Sequence, residues 1–172
     1  PAELGGHYMH RAQWGTPYAV WNPPFLSPLG VPCQQPPYGT LSAVDLSTGR
    51  LAWTQAFGTA RASGPLGMRS GLPLTMGVPN YGGSLVTRSG LVFIGASQDG
   101  GLRAFDSSTG AELWHARLPA GANATPMTYL SAASGRQFVV VAAGGTDVKA
   151  DVEGDHIVAF ALPAPAGGTR KH

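Results

Sequence analysis

Along most of this chain, hydrophobic and polar positions alternate at period two over short stretches, and Gly, Pro, Asn, Asp and Ser interrupt them at close intervals. That pattern predicts strands joined by tight turns rather than helices. Residues 39–53, GTLSAVDLSTGRLAW, return at 100–114 as GGLRAFDSSTGAELW, with Gly, Leu, Ala, Asp, Ser, Thr, Gly and Trp unchanged. A unit that recurs in this way marks an architecture of stacked copies. Each copy predicts a hairpin in which Leu41 and Ala43, or Leu102 and Ala104, alternate with their neighbours before the DxSTG turn reverses the chain. Asp45 and Asp106 suit the start of that turn, because their carboxylates can accept N–H bonds from two residues on, and Gly49 and Gly110 stand where φ must be positive. Each second strand ends in a tryptophan, Trp53 or Trp114, a flat side chain able to cover a neighbouring sheet and worth roughly 2 to 3 kcal/mol when buried.

Ahead of the second copy, Ser84–Thr87 and Leu91–Ala96 predict two more strands around a turn at Arg88–Gly90. Four strands in a meander ending at Trp114 make one blade of a β-propeller. A further set follows, Thr125–Leu130, Gln137–Ala143 and His156–Leu162, with no DxxTGxxxW ending. A last blade of three strands would be closed by a strand from the far N-terminus of a complete ring, which leaves no open edge. Because Trp114 has a following blade to dock on and the sheet before Trp53 is incomplete, Trp114 is expected to carry more stability than Trp53. The fold class is thus all-β, with residues 1–38 a Pro-rich coil leading into the propeller, 39–163 propeller blades forming part of a ring, and 164–172 a disordered tail. Within the first segment, Pro23–Pro37 contains six prolines, which excludes a helix or central strand. Gly58–Val78 is the long connection between the two copies, and loops of that length in a compact domain are usually functional.

Composition narrows the classes without altering this picture. Gly 25 and Pro 15 make nearly a quarter of the chain and charged residues only 12%, which fits many tight turns. The net charge of +2 comes from arginines scattered along the chain, so no basic face follows a phosphate backbone and nucleic acid is excluded as a partner. The longest apolar run, Phe138–Ala143, falls far short of the roughly 20 residues of a membrane helix. Cys33 is the only cysteine and cannot form a disulfide within the chain. The sequence begins at Pro1 with no charged-then-apolar leader, so targeting information is expected upstream.

The DxxTGxxxW stretches at 45–53 and 106–114 resemble the tryptophan docking motif of quinoprotein alcohol dehydrogenases, whose eight-bladed propeller carries pyrroloquinoline quinone (PQQ) on its axis. The resemblance continues through GGSLVTxxGLVFIG at 82–95, LPAGANATPMTY at 118–129 and QFVVVAAGG at 137–145. With NPPFLSPLGVPC at 22–33, the chain is similar to the membrane-bound branch that oxidises glucose or quinate and shikimate. GPLG at 64–67 and GLPL at 71–74 look closer to the quinate/shikimate members. The resemblance implies a C-terminal fragment, covering about Gly15 to Pro163, of a periplasmic enzyme anchored to the membrane through an upstream segment. It also implies PQQ with calcium or magnesium in the intact enzyme, a cyclic polyol as substrate, and ubiquinone as the electron acceptor reached through the upstream membrane domain. The isolated fragment is expected to be inactive and to hold no cofactor. The rival reading is a protein-interaction scaffold without enzymatic activity, since propellers with similar Trp-containing repeats serve that role and fold alone does not assign function.

Alcohol oxidation by a quinone needs a base for the hydroxyl proton, a carbonyl polarised by a cation and a dry pocket. Asp45 and Asp106 read as turn formers, Asp99 as part of a QDGG turn, and Glu3 and Glu112 as solvated. The resemblance places the catalytic aspartate and most cation ligands in earlier blades, so no catalytic residue is assigned here. Asp147, Asp151, Glu153 and Asp155 gather in one loop, but Gly154 does not fit an EF-hand, so the loop reads as solvated. His7, His10, His115, His156 and His172 lack zinc spacing, and no metal ligand is assigned. His115 and His156 read as strand residues, and Asn123, Thr125 and Met127 as structural. Two places remain that the resemblance implies for cofactor contact. Tyr81, preceded by Asn80, stands just before the Gly-Gly that opens a blade's inner strand, where relatives carry an aromatic or leucine. Thr146 follows Ala-Gly-Gly, where relatives carry Trp or His.

Overall fold

A computed structural model of the chain describes residues 11–20, 25–145 and 153–163. Eleven strands are present among them. β1 (Arg11–Ala12) and β2 (Ala19–Val20) form a small antiparallel ribbon within the segment expected to be coil. β3 (Thr40–Asp45) and β4 (Arg50–Ala56) form the first hairpin. β5 (Ser84–Val86), β6 (Leu91–Ile94), β7 (Gly101–Asp106) and β8 (Glu112–Arg117) make a four-stranded antiparallel meander, ordered as they occur in the chain. β9 (Met127–Leu130), β10 (Gln137–Ala143) and β11 (His156–Ala161) make a three-stranded meander. The four-strand and three-strand sets anticipated from the alternation are therefore both present.

The repeat is reproduced to the residue. Ala43 pairs with Trp53 and Ala104 with Trp114, and each ladder shifts register immediately afterwards, at Val44 and at Phe105. Asp45 Oδ1 accepts from Ser47 N at 2.8 Å, and Asp106 Oδ1 accepts from Ser108 N at 2.8 Å and Thr109 N at 2.9 Å. These bonds fix the chain reversal, and Gly49 (φ 66°) and Gly110 (φ 76°) take the left-handed conformation it requires.

The four-stranded sheet is covered on both sides. On one, Phe57, Val92, Ile94, Ala96 and Phe105 pack with Leu41 of the first hairpin, and the Phe57 and Phe105 rings meet edge-on at 6.2 Å. On the other, Leu102 and Leu118 pack with Ala120, Ala122, Val141 and Ala143, flanked by Val158 and Phe160 of the three-stranded sheet. Alternation in β7 divides its side chains between these cores: Leu102 goes to the second, Phe105 to the first.

The two tryptophans behave differently, against the expected ranking. Trp53 Nε1 donates to the Ser107 carbonyl at 2.9 Å, and its ring lies so close to Gly110 that a Cβ there would approach it to 2.8 Å. Trp114 is 38% exposed and meets Phe160 edge-on at 5.1 Å, and its indole N–H donates to no acceptor among the described residues. The contacts run against that ranking because both tryptophans have a following sheet, and only the sheet after Trp53 offers a DxSTG turn with a carbonyl that receives the indole.

The 58–78 connection is held by short-range turns and two 3₁₀ turns, Ala60–Ala62 and Pro65–Gly67, and it meets the Pro-rich coil through Leu66 N to the Leu29 carbonyl at 2.6 Å. No helix among the described residues is long and apolar enough to cross a membrane.

Candidate functional site

The heads of the two larger sheets come together. At the start of β5, Asn80 bridges Ser97 and the Tyr81 N–H donates to the Ala96 carbonyl at 3.3 Å, tying this segment to the loop after β6. Asn80 turns its side-chain N–H onto the Val78 carbonyl at 3.2 Å and so serves its own loop. Tyr81 is 64% exposed, its ring standing clear of the sheet. Next to it, Gly82 (φ 142°) approaches the backbone of Asn123 so closely that a Cβ would lie 2.3 Å from the Asn123 carbonyl oxygen. Ala122 in turn bridges Gly145, whose N–H donates to the Gly121 carbonyl at 2.9 Å. Segment 121–123 thus joins the Tyr81 strand head to the end of the AAGG stretch. Thr146, the residue that follows, lies outside the described residues.

Asn123, read from sequence as structural, carries a buried Oδ1 with no hydrogen-bond partner among the described residues. An acceptor left unpaired in a buried place costs about 1 to 3 kcal/mol. The backbone carbonyl of Asn123 lies beside the same Gly82 that follows Tyr81. The exposed phenol ring of Tyr81 at a strand head suits stacking by a planar heteroaromatic group, and PQQ is such a group.

Behind these strand heads lies a polar cluster that sequence reading missed. The Asp99 carboxylate accepts from Thr59 N at 2.9 Å, Thr59 Oγ1 at 2.8 Å, Ser97 Oγ at 2.7 Å and Arg103 Nη1 at 3.0 Å, with a second bond from Arg103 Nη2. The Asp99 and Arg103 side chains are 2% and 5% exposed, and Ser97 is fully buried. Arg103 also lies 3.5 Å from Glu112 and over the Phe57 ring at 5.7 Å. Burial alone would raise the Asp99 pKa. The hydrogen bond and charge of Arg103, with Ser97 and Thr59, outweigh it and lower the pKa from 3.8 to about 2. Asp99 does sit in a turn, as its sequence suggested, but its side chain clamps the start of the 58–78 connection, the β6–β7 loop and β7 together. Through Ser97 it also braces Asn80. One signal could have revealed it: at the positions matching Asp99 and Arg103, the first copy of the repeat carries Tyr38 and Ser42.

The remaining candidates form no second centre among the described residues. His115 and His156 lie in β8 and β11, as read from sequence. Of the acidic loop, Asp147 and Asp151 lie outside the described residues, while Glu153 and Asp155 are exposed. No group of three or more His, Cys, Asp or Glu among the described residues could hold a metal ion.

Comparison with known proteins bears on what this arrangement is for. Residues 2–139 match the family described as PQQ: Glucose/ethanol/alcohol dehydrogenase, beta-propeller domain. The chain is 53% identical over 149 residues to a "Probable quinate dehydrogenase (quinone)" of Xanthomonas campestris pv. juglandis, covering 87% of this chain and 19% of that protein. It is 50% identical over 148 residues to the "Quinate/shikimate dehydrogenase (quinone)" of Acinetobacter baylyi, covering 86% and 18% respectively. It is 47% identical over 153 residues to the "Quinoprotein glucose dehydrogenase" of Escherichia coli K12, covering 89% and 19%. The chain therefore spans about a fifth of the length of these relatives.

Proposed function

The chain belongs to the β-propeller family of PQQ-dependent glucose, ethanol and alcohol dehydrogenases, and from that premise we propose that it supplies the C-terminal blades of a dehydrogenase oxidising a cyclic polyol such as quinate or shikimate. Its all-β sheets are part of that propeller. The observation that carries the reading is the junction through segment 121–123, which brings the Tyr81 strand head and the end of AAGG onto one edge of two successive sheets. In an eight-bladed ring such edges border the axis where the cofactor lies. Tyr81 lends its ring as a surface for the cofactor, Asn80 holds the loop that presents it, and Thr146 is the second contact. PQQ, with calcium or magnesium, takes up the electrons of the alcohol when bound. This chain's residues orient it and close one side of its pocket against water.

The catalytic base and most cation ligands belong to earlier blades, so the 172 residues alone do not turn over. The intact enzyme lies in the periplasm, is anchored through an upstream segment and passes electrons to ubiquinone. The preference for quinate and shikimate over glucose rests on the higher identities to the two relatives bearing those substrates in their names. The test is reconstitution of the intact protein containing this chain with PQQ and calcium, followed by quinate, shikimate and glucose oxidation with a ubiquinone analogue. PQQ-dependent oxidation of quinate or shikimate is the expected result. Absence of PQQ-dependent turnover with all three substrates would overturn the reading.

A further inference from the structure

Between the first hairpin and the four-stranded sheet, positive charge is concentrated in a chain that is otherwise sparsely charged. Two adjoining cavities, of about 330 and 250 Å³, both have Arg61, Asp99 and Arg117 in their walls. Arg103 and Glu112 line the larger cavity and Arg69 the smaller. Four of the chain's nine arginines therefore stand here against two acids. Both acids face Arg103: Asp99 accepts its two hydrogen bonds, and Glu112 lies 3.5 Å from its Nε. The guanidinium groups of Arg61 and Arg117 have no hydrogen-bond or ion-pair partner among the described residues. Arg61 is half-buried, on the first 3₁₀ turn of the long connection, and Arg117 ends β8.

A guanidinium offers five donors in one plane and no acceptor, and its geometry matches the two oxygens of a carboxylate. Two of them in the wall of one space, with both neighbouring acids already engaged, select an anion and disfavour a neutral ligand. The larger cavity is at the small end of the range for small-molecule sites, roughly 300 to 1,000 Å³. We infer that this space binds the carboxylate of a small hydroxy acid, held by Arg61 and Arg117. The inference deepens the dehydrogenase reading and rests on it in one respect: the acid bound here is the substrate. On that basis the cavity selects hydroxy acids over uncharged sugars.

PQQ also carries carboxylates, so the experiment separates the two sources. The intact protein, freed of PQQ, is titrated calorimetrically with sodium quinate, with methyl quinate and, separately, with PQQ. The comparison covers wild type, Arg61→Gln/Arg117→Gln and Arg61→Lys, with thermal midpoints recorded for each. The double variant is expected to bind quinate at least about tenfold more weakly, the loss of one charge-assisted hydrogen bond or more. Arg61→Lys should lose less, methyl quinate should bind wild type about tenfold more weakly than quinate, and PQQ affinity should hold within about twofold. If the double variant does not fold, Arg117→Gln alone serves, because that side chain is exposed at a strand end. Equal quinate affinity in wild type and variant, or equal affinity of wild type for acid and ester, would overturn the inference. So would a loss of PQQ affinity with quinate affinity intact, which would give the arginines to the cofactor. If wild type binds quinate through these arginines yet shows no PQQ-dependent oxidation, the dehydrogenase reading fails and the carboxylate site stands.

Discussion

Replacing Asp99 with asparagine removes one charge and almost no volume, so it isolates the electrostatics of the buried cluster. In the wild type this carboxylate receives five hydrogen bonds from Thr59, Ser97 and Arg103 with its side chain 2% exposed. The variant leaves the 5%-exposed Arg103 side chain with only Glu112, 3.5 Å away and 44% exposed. Breaking a buried ion pair by removing one partner costs about 3 to 5 kcal/mol. The lowered pKa gives a second figure for the same interactions. A folded-state pKa of about 2 against 3.8, at 1.36 kcal/mol per unit, corresponds to about 2 kcal/mol of stability at neutral pH. We therefore expect Asp99→Asn to lose about 3 kcal/mol at pH 7, read as a shift of the urea midpoint of the 172-residue chain.

The sign of the pH dependence follows from the direction of the shift. A carboxyl whose pKa is lowered by folding contributes its full stability above the unfolded value of 3.8 and loses it as pH falls toward about 2. The gap between wild type and Asp99→Asn should thus be constant above about pH 5 and shrink between pH 4 and 2. A double-mutant cycle with Arg103→Met would assign the coupling to this pair. The reasoning is refuted by a loss below about 1 kcal/mol, the range of an exposed pair, or by a gap that does not change with pH.

Trp53→Ala should cost about 3 kcal/mol or more and Trp114→Ala about half as much, because of the two only Trp53 has its indole N–H bonded among the described residues and its ring seated on a turn. Equal shifts in denaturant midpoint would remove that distinction. Gly110→Ala combines a left-handed φ of 76° with a Cβ 2.8 Å from the Trp53 ring. It should destabilise by at least about 1 kcal/mol, and an unchanged melting temperature would count against the packing described. In the intact enzyme, Tyr81→Ala should weaken PQQ binding roughly tenfold while Tyr81→Leu keeps most of it. Identical half-saturation of the apoenzyme with PQQ would take Tyr81 out of the site. The 172 residues alone should reduce no dye acceptor with quinate, shikimate or glucose in the presence of PQQ and calcium. Turnover above a protein-free control would place the catalytic base inside this chain.

Features that depend on neighbours along the chain were legible in the sequence. Period-two alternation, a turn that needs a carboxylate and a left-handed glycine at fixed spacing, and a unit repeated at 39–53 and 100–114 specify hairpins wherever they occur. The nine strands from β3 onward lie where those signals put them. The ribbon at 11–20 was concealed because its strands are two residues each, too short to show a period. The tertiary structure alone decided which tryptophan is anchored, since that depends on the next sheet presenting the Ser107 carbonyl. It also decided that Asp99, in a stretch that reads as an ordinary turn, is a buried clamp. Thr59 reaches it from 40 residues away in sequence, and no local pattern encodes such a meeting. The junction of Tyr81 with 121–123 and Gly145 has the same character. It arises where two sheets stack closely enough for Gly82 to touch the backbone of Asn123, a proximity set by packing between sheets rather than by pairing along one strand.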